Sequence, residues 1–172
     1  MDPQIIAASF GVTDGMHVTD FGSGSGYFTI ILAKMVGENG TVTAVDIMNE
    51  ALDTVRAKAK SEGLSNLDTV RANLEVLGSS GLPSNSQDFV LLANILFQSD
   101  KKEDIIREAF RVLKPGGRAA IISWKKTSTG FGPPQELRSE PETLKTLIQS
   151  NGLIFAGDID TGTFHYGQMY TK

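Results

Sequence analysis

The chain contains no cysteine. That excludes a disulfide framework, a zinc–thiolate centre and a thiol nucleophile. It has 2 histidines, too few for a histidine-built cluster, and no metal is implied. No apolar run approaches the roughly 20 residues that cross a bilayer, so no membrane partner is expected. The opening MDPQIIAAS lacks the basic start and long apolar stretch of a secretory signal. By default these absences give a cytoplasmic expectation. Neither sign of charge is in large excess, and a net −4 offers no global attraction to nucleic acid. What remains is ordinary: 172 residues, 40% hydrophobic and 21% charged, read as a single domain over 1–172 with enough chain for a real core.

The chain is organised around residues 17–37, HVTDFGSGSGYFTIILAKMVG. This reads as a short strand, a turn carrying Gly22, Gly24 and Gly26, then a helix with Phe28, Ile31, Leu32 and Met35 on one face. A turn so tight needs residues without a Cβ if backbone is to approach a ligand closely. Its amides open at a helix N-terminus, which attracts negative charge. A second fixture is Asp46, closing the strand TVTAVD, where an acid accepts hydrogen bonds from two ribose hydroxyls. The two together predict a nucleoside cofactor in an α/β sheet.

Taken in order, Asp2 and Pro3 predict a capped short helix within residues 1–11. Strands are expected at 17–20, 41–46, 67–72, 89–92 and 118–123. Asn49 is placed to cap a helix bearing Leu52, Val55 and Ala59. Ile105, Ile106, Ala109, Phe110 and Leu113 mark another, closed by Lys114-Pro115-Gly116-Gly117 as stop and turn. Residues 124–138 form the longest irregular segment, and such loops are often functional. Ser139 and Glu142 read as a capping box for a helix with Leu144, Leu147 and Ile148. Strands near 153–159 and 164–170 are joined too closely for a parallel crossover and predict an antiparallel hairpin. The fold class is α/β, Rossmann-like: an open, mostly parallel sheet of seven strands with a C-terminal antiparallel hairpin and helices on both faces.

A dinucleotide fingerprint would require glycine where Tyr27 stands. The pattern Asp20-x-Gly22-x-Gly24-x-Gly26 instead resembles the first motif of the class I S-adenosylmethionine-dependent methyltransferases. With AVD, QDFVLLAN, RVLKPGGR and the terminal hairpin, the resemblance covers residues 17–172. Segments ISWKKTSTGFGPP and HYGQMYTK most resemble small methyltransferases of the group that includes quinone-biosynthesis and arsenite enzymes. The resemblance implies S-adenosylmethionine as methyl donor, S-adenosylhomocysteine as product and a small-molecule acceptor. A nucleic-acid methyltransferase working with a partner subunit, and a non-catalytic subunit, stand as alternatives. Such enzymes carry N-terminal helices over the cofactor. Here the lid is absent, formed by the 124–138 loop, or supplied by a second copy or partner chain.

By this resemblance Asp20 favours the ammonium of the methionine end, with Ser23 in the same turn as the three glycines. Asn73 and Leu74 would flank the adenine, and Ile47 would pack on its face. Asn94 ends the fourth strand beside the transferred methyl; Asn94-Ile95-Leu96-Phe97 lacks the two prolines of the adenine-amino methylators. His165, early in an antiparallel last strand, returns to the carboxyl edge as a candidate base or as a sheet-packed ring, whereas His17 lies at the opposite edge. Trp124 reads as rim, core or acceptor stacking. Arg138 reads as a clamp for an anionic acceptor or as an exposed charge.

Overall fold

The computed structural model describes residues 2–127, 130 and 132–172. Three positions of the expected long loop, 128, 129 and 131, lie outside the described residues. Helix α1 (Pro3–Ala8) is capped by Asp2, whose Oδ1 accepts from the Gln4 amide, and proline occupies its first turn. Then follow β1 (His17–Phe21), α2 (Tyr27–Val36), β2 (Thr41–Asp46), α3 (Asn49–Ser61), β3 (Leu67–Arg71) and β4 (Gln87–Ala93). Helix α4 (Lys102–Val112), β5 (Leu113–Trp124), α5 (Pro141–Ser150), β6 (Ile154–Ile159) and β7 (His165–Thr171) complete the chain.

The seven strands form one sheet in the order β3-β2-β1-β4-β5-β7-β6. β7 runs antiparallel to both neighbours and the remaining pairings are parallel, as the sequence predicts. Alternation along β4 explains the two cores. Phe89 and Leu91 pack with Val18, Ile122, Phe28 and Leu32 beneath α1 and α2. Val90 and Leu92 pack with Phe21, Ile121, Ile106 and Ile148 beneath α4 and α5. Strands buried on both faces read as continuous apolar runs for this reason.

Several local expectations are corrected. The buried face of α2 is centred on Phe28, Leu32 and Val36, with Ile31 and Met35 only partly covered. Met48, not Asn49, is the cap of α3, and the Met48 amide is taken by Asp46 Oδ1 at 2.9 Å. Lys114 to Gly117 do not turn the chain away from the sheet. They bulge within β5, opposite the step from Gln87 to Phe89, and Gly116 and Gly117 exchange hydrogen bonds with Lys172. The Ser139 box does not form: Pro141 fixes the first turn of α5 and puts Glu140 at the cap, with no side-chain hydrogen bond. Residues 72–86 link β3 to β4 without a helix.

Candidate active site

Everything needed for a ligand site emerges at the carboxyl ends of β1, β2 and β4, where the strand order reverses. The glycine turn follows β1. Gly22 and Ser23 donate their amides to the Val45 carbonyl at 2.7 and 3.1 Å, which pins the turn against β2. Gly22 has φ 72°, and a Cβ there would lie 2.6 Å from Ile95 Cδ1. At Gly24, φ 51°, nothing lies within 4 Å of the Cβ direction, so this crest faces open space.

Two cavities meet on that crest. One, of about 360 Å³, is walled by Asp46, Ile47, Ala72, Asn73, Leu74 and Ile105. The other, of about 500 Å³, is walled by Asp20, Ser23, Tyr27, Phe28, Ala93 and Asn94, with Pro3 of α1 at its rim. Gly22, Gly24 and Gln98 line both. The long shared cleft matches a ligand with a flat heterocycle at one end and a charged chain at the other.

The acids differ in setting. Asp46 bridges backbone groups: Oδ2 accepts from the Gly24 amide and Oδ1 from the Met48 amide, both at 2.9 Å. Asp20 is buried at 2% exposure and accepts from Thr29 Oγ1 at 2.6 Å. Burial pushes its carboxyl up to about 6; the Thr29 hydrogen bond opposes this and the nearby Asp46 charge adds to it. Ser23 Oγ and Asn94 Oδ1 are buried polar atoms without a hydrogen-bond partner. Asn94 also holds φ 56°, a left-handed conformation that asparagine tolerates better than most residues. Clear space before Gly24, two carboxylates and two oxygens without partners form a set of acceptors that fits the ribose hydroxyls and the ammonium end of S-adenosylmethionine.

The acceptor-side expectations fare differently. His165 opens β7 directly opposite Trp124 at the end of β5, and their ring centroids are 4.0 Å apart. The imidazole is buried with both nitrogens unpartnered. Burial first, then the charges of Lys125 and Arg138, push its pKa down to about 4, so the ring is neutral. Arg138 is not the exposed charge of the sequence reading. It is buried, donating from Nε to Pro133 O at 2.9 Å and from a terminal nitrogen to Lys125 O at 2.8 Å, with its guanidinium over Trp124. Neither residue, nor Trp124, lines the two cavities above. His17 sits at the far edge, bonded to Thr41 Oγ1. Nearby, Lys102 donates to Ser99 O and Lys125 to Gly162 O.

Sequence reasoning missed Pro3, Tyr27, Glu75, Gln98 and Ser99 as cavity walls. The available signal was position, since Gln98 and Ser99 fall within six residues of the carboxyl end of β4.

The fold and site define a methyltransferase. Residues 12–170 match the family described as a methyltransferase domain, and the chain belongs to the class I S-adenosylmethionine-dependent methyltransferases. It is 34% identical over 161 residues to a ubiquinone/menaquinone biosynthesis C-methyltransferase of Pseudoalteromonas translucida, covering 92% of this chain and 60% of that protein. A Salmonella arizonae enzyme of the same description is 37% identical, with 67% of this chain and 45% of that protein covered. The chain thus spans about half the length of these curated relatives. A solved S-adenosylmethionine-dependent methyltransferase from Aquifex aeolicus superposes with TM-score 0.90 and 29% identity, over 99% of this chain and 89% of that one. Among the described residues no helix is long and apolar enough to cross a membrane.

Proposed function

We propose that this domain transfers the methyl group of S-adenosylmethionine to a small apolar acceptor. The observation that carries the reading is the junction of two cavities over Gly22 and Gly24, with Asp46 facing one and Asp20 the other. The donor's sulfonium supplies an electrophilic methyl, so the protein's tasks are alignment and exclusion of water. Asp46 holds the ribose, Ile47 and Leu74 enclose the adenine beside Asn73, and Asp20, Ser23 and Asn94 orient the methionine end.

Acceptor chemistry is assigned to the neighbouring edge. Pro3, Tyr27, Phe28 and Ala93 give the second cavity an apolar wall. The curated relatives are named for carbon methylation in quinone biosynthesis, and an acceptor of that kind must lose a proton. Its removal is assigned to the neutral ring of His165, which lies outside the two cavities against Trp124, the ring that Arg138 covers. Pro3 of α1 stands at the rim of the second cavity, and a second copy or a partner chain covering the cofactor would appear as cofactor-dependent association.

Calorimetry with S-adenosylmethionine, S-adenosylhomocysteine and NAD tests the donor assignment. The expected result is binding of both methyl cofactors and far weaker binding of NAD; tight NAD binding alone overturns it. Labelled methyl transfer into metabolite extracts then identifies the acceptor.

A further inference from the structure

The adenine-side wall is the least regular part of the site, and it is held from behind. Residues 72–86 belong to no helix or strand, yet Ala72, Asn73, Leu74 and Glu75 line the cavity. Behind them stands Glu108 of α4, at 0% exposure the most deeply buried acid among the described residues. Its carboxylate accepts from the Gly78 amide at 2.7 Å, the Ser80 amide at 3.3 Å and the Ser80 hydroxyl. Arg111, one turn further along α4, donates to both carboxylate oxygens at 2.8 Å.

Between the two anchored residues, Ser79 Oγ donates to the Asn73 carbonyl at 2.6 Å. Asn73 Oδ1 in turn accepts from the Glu75 amide at 3.0 Å. Hydrogen bonds joined by one backbone step therefore lead from α4 to the cavity wall. At the wall's other end Glu75 Oε1 accepts from Ser99 Oγ at 2.7 Å. Glu108 itself does not line the cavity.

We propose that Glu108 is a positioning residue for the cofactor, holding the 72–86 wall in its binding form through Gly78, Ser80 and the Ser79–Asn73 bond. This rests on the methyltransferase reading and deepens it. An irregular segment ordered only when ligand arrives lowers affinity by the cost of that ordering, whereas one already fixed does not. The anchor holds through the physiological range. Burial would raise the Glu108 carboxyl, but hydrogen bonds from Arg111, Ser80 and Gly78 outweigh it and bring the pKa down to about 2. The residue is separable from the core, because α4 packs on the sheet through Ile105, Ile106, Ala109 and Val112.

Glu108→Gln and Ser80→Ala test this by three readouts: S-adenosylhomocysteine affinity, turnover against cofactor concentration, and amide exchange of residues 72–86 without ligand. The expected result is a dissociation constant raised about tenfold in Glu108→Gln and about threefold in Ser80→Ala, with kcat at saturating cofactor within about twofold of the parent. Exchange should quicken over 72–86 and stay unchanged in β1 and β4. Unaltered affinity in folded variants, or lost kcat at unaltered affinity, overturns the proposal. Should Glu108→Gln not fold, Ser80→Ala decides by the same criteria. If the parent protein binds no S-adenosylhomocysteine, the methyltransferase reading fails, and the exchange comparison alone then decides whether Glu108 orders the wall.

Discussion

Gly24 and Asp46 are joined across the mouth of the site, the glycine amide donating to Asp46 Oδ2 at 2.9 Å. The acid proposed to hold the ribose therefore also fixes the glycine crest shared by the two cavities. A carboxylate has about four acceptor positions, so two backbone bonds leave room for two hydroxyls.

Replacing Asp46 by Ala should weaken S-adenosylhomocysteine binding while the protein stays folded. Charge-assisted hydrogen bonds of about 1.5–3 kcal/mol correspond to roughly tenfold or more in affinity. Calorimetry beside circular dichroism checks it. An unchanged dissociation constant in a folded variant removes Asp46 from the ribose site.

Asp20 predicts a pH dependence with a definite sign. Its pKa is raised from 3.8 to about 6, so the folded protein holds a proton that the unfolded chain has lost in that interval. Its contribution to stability therefore falls as pH rises from 3.8 to about 6. Binding runs the other way, because a ligand ammonium stabilises the ionised carboxylate. Affinity for S-adenosylhomocysteine should climb with pH until about 6 and then level off. Methylthioadenosine, which has no ammonium, should show no such rise, and neither should the Asp20→Asn variant. A parallel rise for methylthioadenosine would assign the effect to another group.

The two crest glycines should separate stability from binding. Gly22→Ala adds a Cβ 2.6 Å from Ile95 Cδ1 at φ 72° and should lower Tm. Gly24→Ala meets no atom within 4 Å, so its cost is the left-handed backbone alone, about 1–2 kcal/mol. Its methyl projects where both cavities meet, and the upward Tm shift on adding S-adenosylhomocysteine should vanish. Melting curves with and without ligand settle both. A normal ligand-induced shift in Gly24→Ala would move the cofactor off the crest.

His165 and Arg138 should part company. His165→Asn should keep cofactor affinity and lose turnover, as expected for a group acting on the acceptor. Arg138→Ala removes donors from Pro133 O and Lys125 O and uncovers Trp124, so it should lower stability by about 1–3 kcal/mol. Turnover and urea unfolding measured on both variants distinguish the roles. Normal turnover in His165→Asn would shift the acceptor toward Asn94 and Phe97.

Topology, and the placing of Asp20 and Asp46 at one cleft, were legible in the sequence because they depend on short-range signals: buried runs, a glycine turn, an acid at a strand end. Asp20 and Asp46 could be placed by spacing alone. Arg138 could not, since its partners Pro133 and Lys125 are brought near it only by the fold of the loop. The Lys114 to Gly117 stretch misled for a related reason. Its glycines do depart from regular strand geometry, but pairing with Lys172, far along the chain, keeps them in the sheet. Glu108 could not be read from the sequence either, because its partners Gly78 and Ser80 lie about thirty residues away in the irregular wall.

The position of β7 between β5 and β6 sets an order of events during synthesis. β6 leaves the ribosome before β7, yet β7 is its one partner in the sheet. A nascent chain that has emerged only as far as Ile159 therefore carries a finished β6 with nowhere to dock and a bare edge on β5. Such an edge is a template for pairing with another chain. Pairing of residues 165–171 therefore does two things at once: it closes the edge of β5 and seats β6.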